Sequence, residues 1–201
     1  MFYRRSWPLP PGMFAMVPVL LLALYPRPNK ELRVASSADD PALTMRIKAL
    51  SPTVSMDDAR RVAYCAYTTG RELAREWRVV GWAAWLPGLQ NLFIKMGARK
   101  GGYCFQYSTE LLVRLDALKL ETLELHWAES QLGTMSENNA IVVTARGQPF
   151  EKGILLDNWR CQGHLAWTQV TRDPEYRWKE SKSFAALVLR GANQDIPANH
   201  R

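Results

Sequence analysis

Apolar residues recur at helical spacing through the first half of the chain body and alternate with polar ones through the second. A short helix is predicted over residues 41–50, ended by Ser51-Pro52. Ser55-Met-Asp-Asp58 offers the next helix start, a serine with a carboxylate three residues on. Behind it Ala59, Val62, Ala63, Ala66, Leu73 and Trp77 share one face. That is a helix of about five turns, with Gly70 a weak point inside it. Another helix is predicted over residues 87–96, with Leu89, Leu92, Phe93 and Met96 as its stripe and Gly97 as its C-terminal cap. The turn Arg99-Lys-Gly-Gly102 leads into Tyr103-Cys104, and Leu111, Leu112, Leu115 and Leu118 mark a further helix. Cys104 stands in its first turn, on the face of Ser108, Leu111 and Leu115.

After Leu118 the period falls to two. Leu123, Leu125 and Trp127 alternate with Glu124, His126 and Ala128, which predicts a strand. Residues 140–144, 153–157 and 165–167 predict three more. Pairing residues 121–130 with 137–146 about a turn near 133–134 sets Ser130 opposite Glu137 and Glu129 opposite Asn138, with His126 near Ile141. Helices come first and strands after, without βαβ alternation. The fold class expected is α+β, N-terminal helices followed by an antiparallel sheet. Residues 1–25 read as a signal peptide or membrane anchor, 26–38 as a linker, 39–190 as the domain and 191–201 as a loose tail.

Composition narrows the function classes. The chain has 201 residues, 47% apolar and 22% charged, enough for one domain with a core and too ordered in composition for wholesale disorder. Its net charge is +7, but residues 1–33 hold five basic side chains against Glu31 alone. The remainder is near balance, which is no nucleic-acid footprint. Three cysteines without a CxxC pair exclude a disulfide-stapled mini-protein and give no zinc site. No phosphate-binding glycine loop and no dinucleotide fingerprint occur, so no cofactor and no metal are expected.

The N-terminal segment has its own pattern. Arg4 and Arg5 precede an uncharged stretch from Ser6 to Tyr25, the layout of a secretory signal or signal anchor. It is short against the roughly 20 apolar residues of a spanning helix. Four prolines, Pro8, Pro10, Pro11 and Pro18, weaken it further. The expectation is an exported or membrane-anchored protein of the cell envelope. If the segment is instead a helix buried on the domain, the protein is cytoplasmic.

A thiol at a helix N-terminus feels the positive end of the helix dipole, which favours the thiolate and lowers its pKa below about 8.5. Gly101 and Gly102 before it would let a substrate backbone approach closely. Cys104 is therefore the candidate nucleophile, while Cys65 and Cys161 read as structural.

The order of a cysteine on a helix, a strand carrying a base and a strand ending in Asp resembles the transglutaminase-like branch of the papain-like cysteine enzymes. The run from Trp77 to Trp178 is most similar to an uncharacterised bacterial group with that core. That group's pattern has a glycine-rich turn before the cysteine, a Leu-His-Trp strand and a Glu-His-Asn strand start. A Gly-Gln-Pro-Phe turn and a Leu-Asp-Pro-Trp-Arg strand end follow. This chain has Gly102-Tyr-Cys104, Leu125-His-Trp127, Glu137-Asn-Asn-Ala140, Gly147-Gln-Pro-Phe150 and Leu156-Asp-Asn-Trp-Arg160.

The resemblance implies Cys104 as nucleophile and Asp157 as the orienting carboxylate. It puts Asn138 where the family has the histidine base. An amide cannot accept and return a proton near neutral pH, and losing a triad histidine costs about a million-fold in serine enzymes. The other histidines are poor substitutes. His126 is about three residues displaced along its strand, roughly 10 Å, and reads as structural or as lining the cleft edge. His164 follows Asp157 in a loop, and His200 lies in the tail. Gly102, His126 and Trp159 are the candidate substrate contacts, with Trp159 placed to shield the site from water. The other tryptophans of the chain body, Trp77, Trp82, Trp85, Trp127, Trp167 and Trp178, read as core.

Two functions from different classes are thus expected. One is a degenerate transglutaminase-like domain that binds a peptide, protein or envelope component in its cleft. The other is an active cysteine hydrolase or acyltransferase with a non-standard base. In a third, Cys104 and Asp157 are structural only.

Overall fold

Asp40 stands just before a proline, and that pair starts the first helix. Proline there gives up an N–H that the first turn would leave unpaired anyway. The Asp40 carboxylate accepts from the backbone N–H groups of Ala42 (2.9 Å) and Leu43 (3.1 Å). The structure, a computed structural model, describes residues 31–77, 104–134 and 136–194. Helix α1 is Pro41–Lys48.

Helix α2, Met56–Glu76, begins where the Ser55 hydroxyl accepts from the Asp58 N–H at 2.9 Å. Asp58 does not turn back to Ser55 as a closed capping box would. Its Oδ2 accepts from the N–H groups of Glu121 (3.1 Å) and Thr122 (2.8 Å) and from the Thr122 hydroxyl (2.6 Å). Thr122 Oγ1 in turn accepts from the Ser55 N–H at 3.0 Å. The box is closed through Thr122, which staples the start of α2 to the segment entering the sheet. Burial raises the Asp58 carboxyl, but Thr122, Glu121 and Arg61 outweigh it and hold it below its ordinary value.

Helix α3, Cys104–Ala117, precedes the main strands. The strands are β1 (Arg33–Val34), β2 (Leu123–Ser130), β3 (Asn138–Ala145), β4 (Ile154–Cys161), β5 (His164–Gln169) and β6 (Lys179–Glu180). They form one antiparallel sheet in the order β1-β5-β4-β3-β2-β6. Helix α4, Lys182–Gln194, follows. Among the described residues the molecule is thus α+β, with four helices and six strands.

Period-two alternation gives the sheet two unlike faces. Trp127, Ile141, Val143, Ile154 and Leu156 pack under the helices, against Leu43, Ile47, Val62, Ala66, Leu111 and Leu115. Ala140, Val142 and Leu155 point the other way, into a smaller cluster with Phe150, Val170 and Trp178.

Several expectations change. Arg33–Val34, read as linker, is a strand that pairs with β5 at the sheet edge. Helix α4 takes in residues 191–194 of the expected tail, and Phe184 packs on Trp127 with ring centroids 4.6 Å apart. The β2–β3 register is one residue off the expected one: Ser130 pairs with Asn138 and His126 with Val142. The cause is Glu137. Its carboxylate accepts from the Gly133 N–H at 2.8 Å inside the loop, so Asn138 is the first residue free to pair. Gly70 is a packing requirement rather than a weak point. A Cβ there would lie 2.7 Å from the Gly163 carbonyl oxygen and 2.8 Å from Asn158 Cγ, because α2 lies hard against the β4–β5 turn. The expected segment 1–25, the helix over 87–96, the turn ending in Gly102, Trp82, Trp85 and residues 195–201 with His200 all lie outside the described residues.

Candidate functional site

Cys104 opens α3 and faces the start of β3. It is 9% exposed. Its Sγ lies 3.4 Å from Asn139 Nδ2, which donates to it, and 3.7 Å from the carbonyl oxygen of Glu137. Asn139 is fixed from two further sides. Its Oδ1 accepts from Trp127 Nε1 at 3.1 Å, and its backbone oxygen accepts from the Ser108 hydroxyl at 2.8 Å. Trp127 and Ser108 are buried, so the amide that meets the thiol is rigidly aimed.

The expected activation of this thiol is corrected. Burial pushes the Cys104 thiol above its ordinary value. Hydrogen bonds from Asn139 and the Phe105 N–H pull the other way, the negative charge of Asp157 adds to the rise, and burial wins. A helix start cannot offset desolvation once the sulfur is this far from water. Burial also raises Cys65, and burial with the Asp157 charge takes Cys161 up to about 11.

Asp157 lies in β4, 1% exposed, and collects four donors. Oδ1 accepts from the N–H groups of Trp159 (2.9 Å) and Arg160 (3.0 Å). Oδ2 accepts from Asn138 Nδ2 (2.9 Å) and Arg160 Nε (3.1 Å). Arg160 bridges onward to a second buried carboxylate: Nη1 and Nη2 donate to Asp173 at 3.1 and 2.6 Å. Asp173 also accepts from the N–H groups of Glu175 and Tyr176 and from Trp178 Nε1. The guanidinium lies 4.8 Å from the centre of the Tyr176 ring. Burial raises the Asp173 carboxyl, but Arg160, Glu175 and Trp178 outweigh it and hold it below its ordinary value. Arg160 is correspondingly held above its ordinary value against the cost of burial, chiefly by the Asp157 charge and the Asp173 bonds. Burial and the Asp157 charge push Tyr176 up to about 12.

The predicted residues therefore come together only in part. Asn138 meets Asp157, as the resemblance implies. Neither is a described partner of the Cys104 sulfur, whose side-chain partner is Asn139. The reason is alternation. Asn139 shares the face of Ile141 and Val143, under the helices, while Asn138 and Asp157 share the face of Ala140, Val142 and Leu155. The two contacts sit on opposite sides of one sheet.

His126 is engaged by two neighbours within the fold. Nδ1 lies 2.7 Å from Glu180 Oε1 and Nε2 lies 2.9 Å from Thr144 Oγ1. His164 is exposed at the β4–β5 turn, 2.7 Å from Arg71 Nη1; partial burial and the Arg71 charge hold it below its ordinary value. Trp159 gives its backbone N–H to Asp157, while its buried indole N–H has no partner among the described residues. Asn139, Arg160 and Asp173 are missing from the sequence-based site. The Asn-Asn pair carried a signal for the first, since neighbours on a strand face opposite ways. Asp173 carried none.

Among the described residues no cluster of His, Cys, Asp and Glu could hold a metal ion, and no helix is long and apolar enough to cross a membrane. No family model matches the chain, and neither a curated protein nor a solved structure matches it.

Proposed function

We propose that a chain with this thiol and this carboxylate is a catalytically degenerate relative of the transglutaminase-like cysteine enzymes. It binds a peptide, protein or envelope component instead of cleaving an amide bond. One observation carries the proposal: among the described residues the side-chain partner of the Cys104 sulfur is the Asn139 amide, not a ring nitrogen. Acyl transfer needs a group that takes the thiol proton and returns it to the leaving amine. An amide N–H can only donate to the sulfur. The carboxylate that would orient a base is occupied by Asn138 and Arg160. In the same proposal residues 1–25 carry the domain to the cell envelope, and its support is the sequence pattern alone.

The test is the pH dependence of thiol alkylation, read by mass spectrometry at each cysteine of the folded protein. Cys104 is expected to alkylate slowly, no faster than Cys65 and Cys161, with a midpoint above the ordinary thiol value of about 8.5. Fast alkylation with a midpoint well below that value would overturn the proposal in favour of an active cysteine enzyme.

A further inference from the structure

Arg61, Arg114 and Arg160 each have a carboxylate within 4.0 Å. Arg33, Arg46 and Arg172 have none among the described residues, which is equally true of Arg60, Arg71, Arg75, Arg146, Arg177 and Arg190. What sets these three apart is place: they come from three separate elements and line one groove. That groove, of about 420 Å³, runs between α1 and the β1–β5 edge. Met45 and Trp167 line it as well, and among the described residues Glu31 is its single carboxylate. Arg33 lies over the Trp167 ring, 5.3 Å from its centre. Trp167 is 4% exposed, and its indole N–H has no partner among the described residues. Arg46 is held by Gln169 Oε1 at 3.0 Å, which keeps its guanidinium at the rim.

The edge beside the groove is open in a specific way. Ala35 N–H donates to the Leu165 carbonyl at 2.8 Å, and Arg33 pairs with Trp167 two residues away. Hydrogen-bonded pairs alternate along an antiparallel ladder. Val34, 45% exposed, therefore turns its N–H and C=O away from β5, toward the side on which no described strand pairs.

On the footing that this chain is a binding module, we propose that its partner is an extended acidic peptide. The peptide adds to the outer edge of β1 and sets its carboxylates on Arg33, Arg46 and Arg172, with an apolar side chain over the exposed Met45. Strand addition supplies main-chain bonds, and the arginines supply selectivity for negative charge. Three guanidiniums without an ion pair among the described residues, against one carboxylate, are the complement of such a segment.

The test is fluorescence anisotropy of the full chain with a fluorescein-labelled peptide alternating glutamate and valine. Its controls are a lysine–valine peptide and the acidic peptide N-methylated at alternate residues. The acidic peptide is expected to bind at least tenfold more tightly than either control. The exposed triple variant Arg33→Glu, Arg46→Glu, Arg172→Glu is expected to lose at least tenfold, at unchanged melting temperature. If that variant does not fold, Arg46→Gln alone is expected to lose two- to threefold. Equal affinity for the acidic and basic peptides, wild-type affinity in the charge variants, or unweakened binding of the N-methylated peptide overturns the proposal. So does capture by phosphatidylserine vesicles without capture of the peptide. Cys104 alkylation in the same samples keeps the two proposals apart. A fast thiol removes the binding-module footing without moving the groove affinity, and an unbound peptide removes the groove while leaving the thiol slow.

Discussion

A carboxylate with four donors around it has little room for a base. Asp157 is in that position, and Asn138 donates to it from the face away from the helices. A histidine at 138 would compete with Arg160 for Oδ2 and stay on the far side of β3 from the sulfur. A histidine at 139 would stand beside the thiol. Asn139→His is therefore expected to speed Cys104 alkylation at neutral pH by about tenfold, the thiolate gained for one pKa unit. Asn138→His is expected to leave the rate where it is. Equal acceleration in both variants, read by mass spectrometry, would show the assignment of faces to be wrong. Arg160→Met is the complementary change. It leaves Asp157 and Asp173 buried without their shared cation, at a cost of about 3–5 kcal/mol in urea unfolding. The pH dependence carries a sign. The folded Asp173 carboxyl is depressed, so its stabilisation is full above its unfolded value of about 3.9 and is lost as pH falls through the folded one. Without Arg160 that depression goes, and the variant is expected to lose less stability than wild type between neutral pH and pH of about 3. An identical acid dependence in the two proteins would sink the account of this cluster.

At the scale of elements, caps and periodicity were legible and close approaches were not. The starts of α1 and α2 are written in Asp40-Pro41 and Ser55, and the structure begins helices at both. Four strands follow from alternation, and all four are present. The two-residue strands β1 and β6 are too short to have a period, so nothing in their own residues announces them. Helix α4 does have a partly buried stripe, Phe184, Ala185, Val188 and Leu189. That stripe lies within the expected domain, and only the last turn of α4 falls in the expected tail. Gly70 shows the limit most clearly. Helix propensity alone favours alanine there by about 1 kcal/mol. The neighbouring Gly163 carbonyl and Asn158 side chain leave no space for the added carbon. Gly70→Ala is expected to lower the melting temperature by several degrees, consistent with a net loss of about 1–2 kcal/mol. A rise in thermal denaturation would mean that α2 stands farther from the β4–β5 turn than described.

Taken whole, the molecule is a sheet with a helical layer on one side and a polar lock on the other. The helical side was readable because apolar residues at two periods must meet somewhere. The lock was not, since Arg160 reaches a carboxylate thirteen residues on, past a strand and a turn, with no pattern joining them. The candidate site divides along the same line. Asn138 beside Asp157 was readable from motif order, while the thiol's partner depended on which way each of two adjacent asparagines faces. One further consequence lies in the order of assembly. β1 reaches its strand partner among the described residues, β5, across roughly 130 residues of chain, and holds it through two residue pairs. A contact that closes so long a loop for so small a return forms after the rest of the sheet and opens before it. In amide hydrogen exchange the Ala35 N–H is expected to exchange well ahead of the β3 amides, and exchange as slow as theirs would refute this. The edge on which an acidic segment would pair is then a latch that spends part of its time open, and an occupant would act by holding it shut.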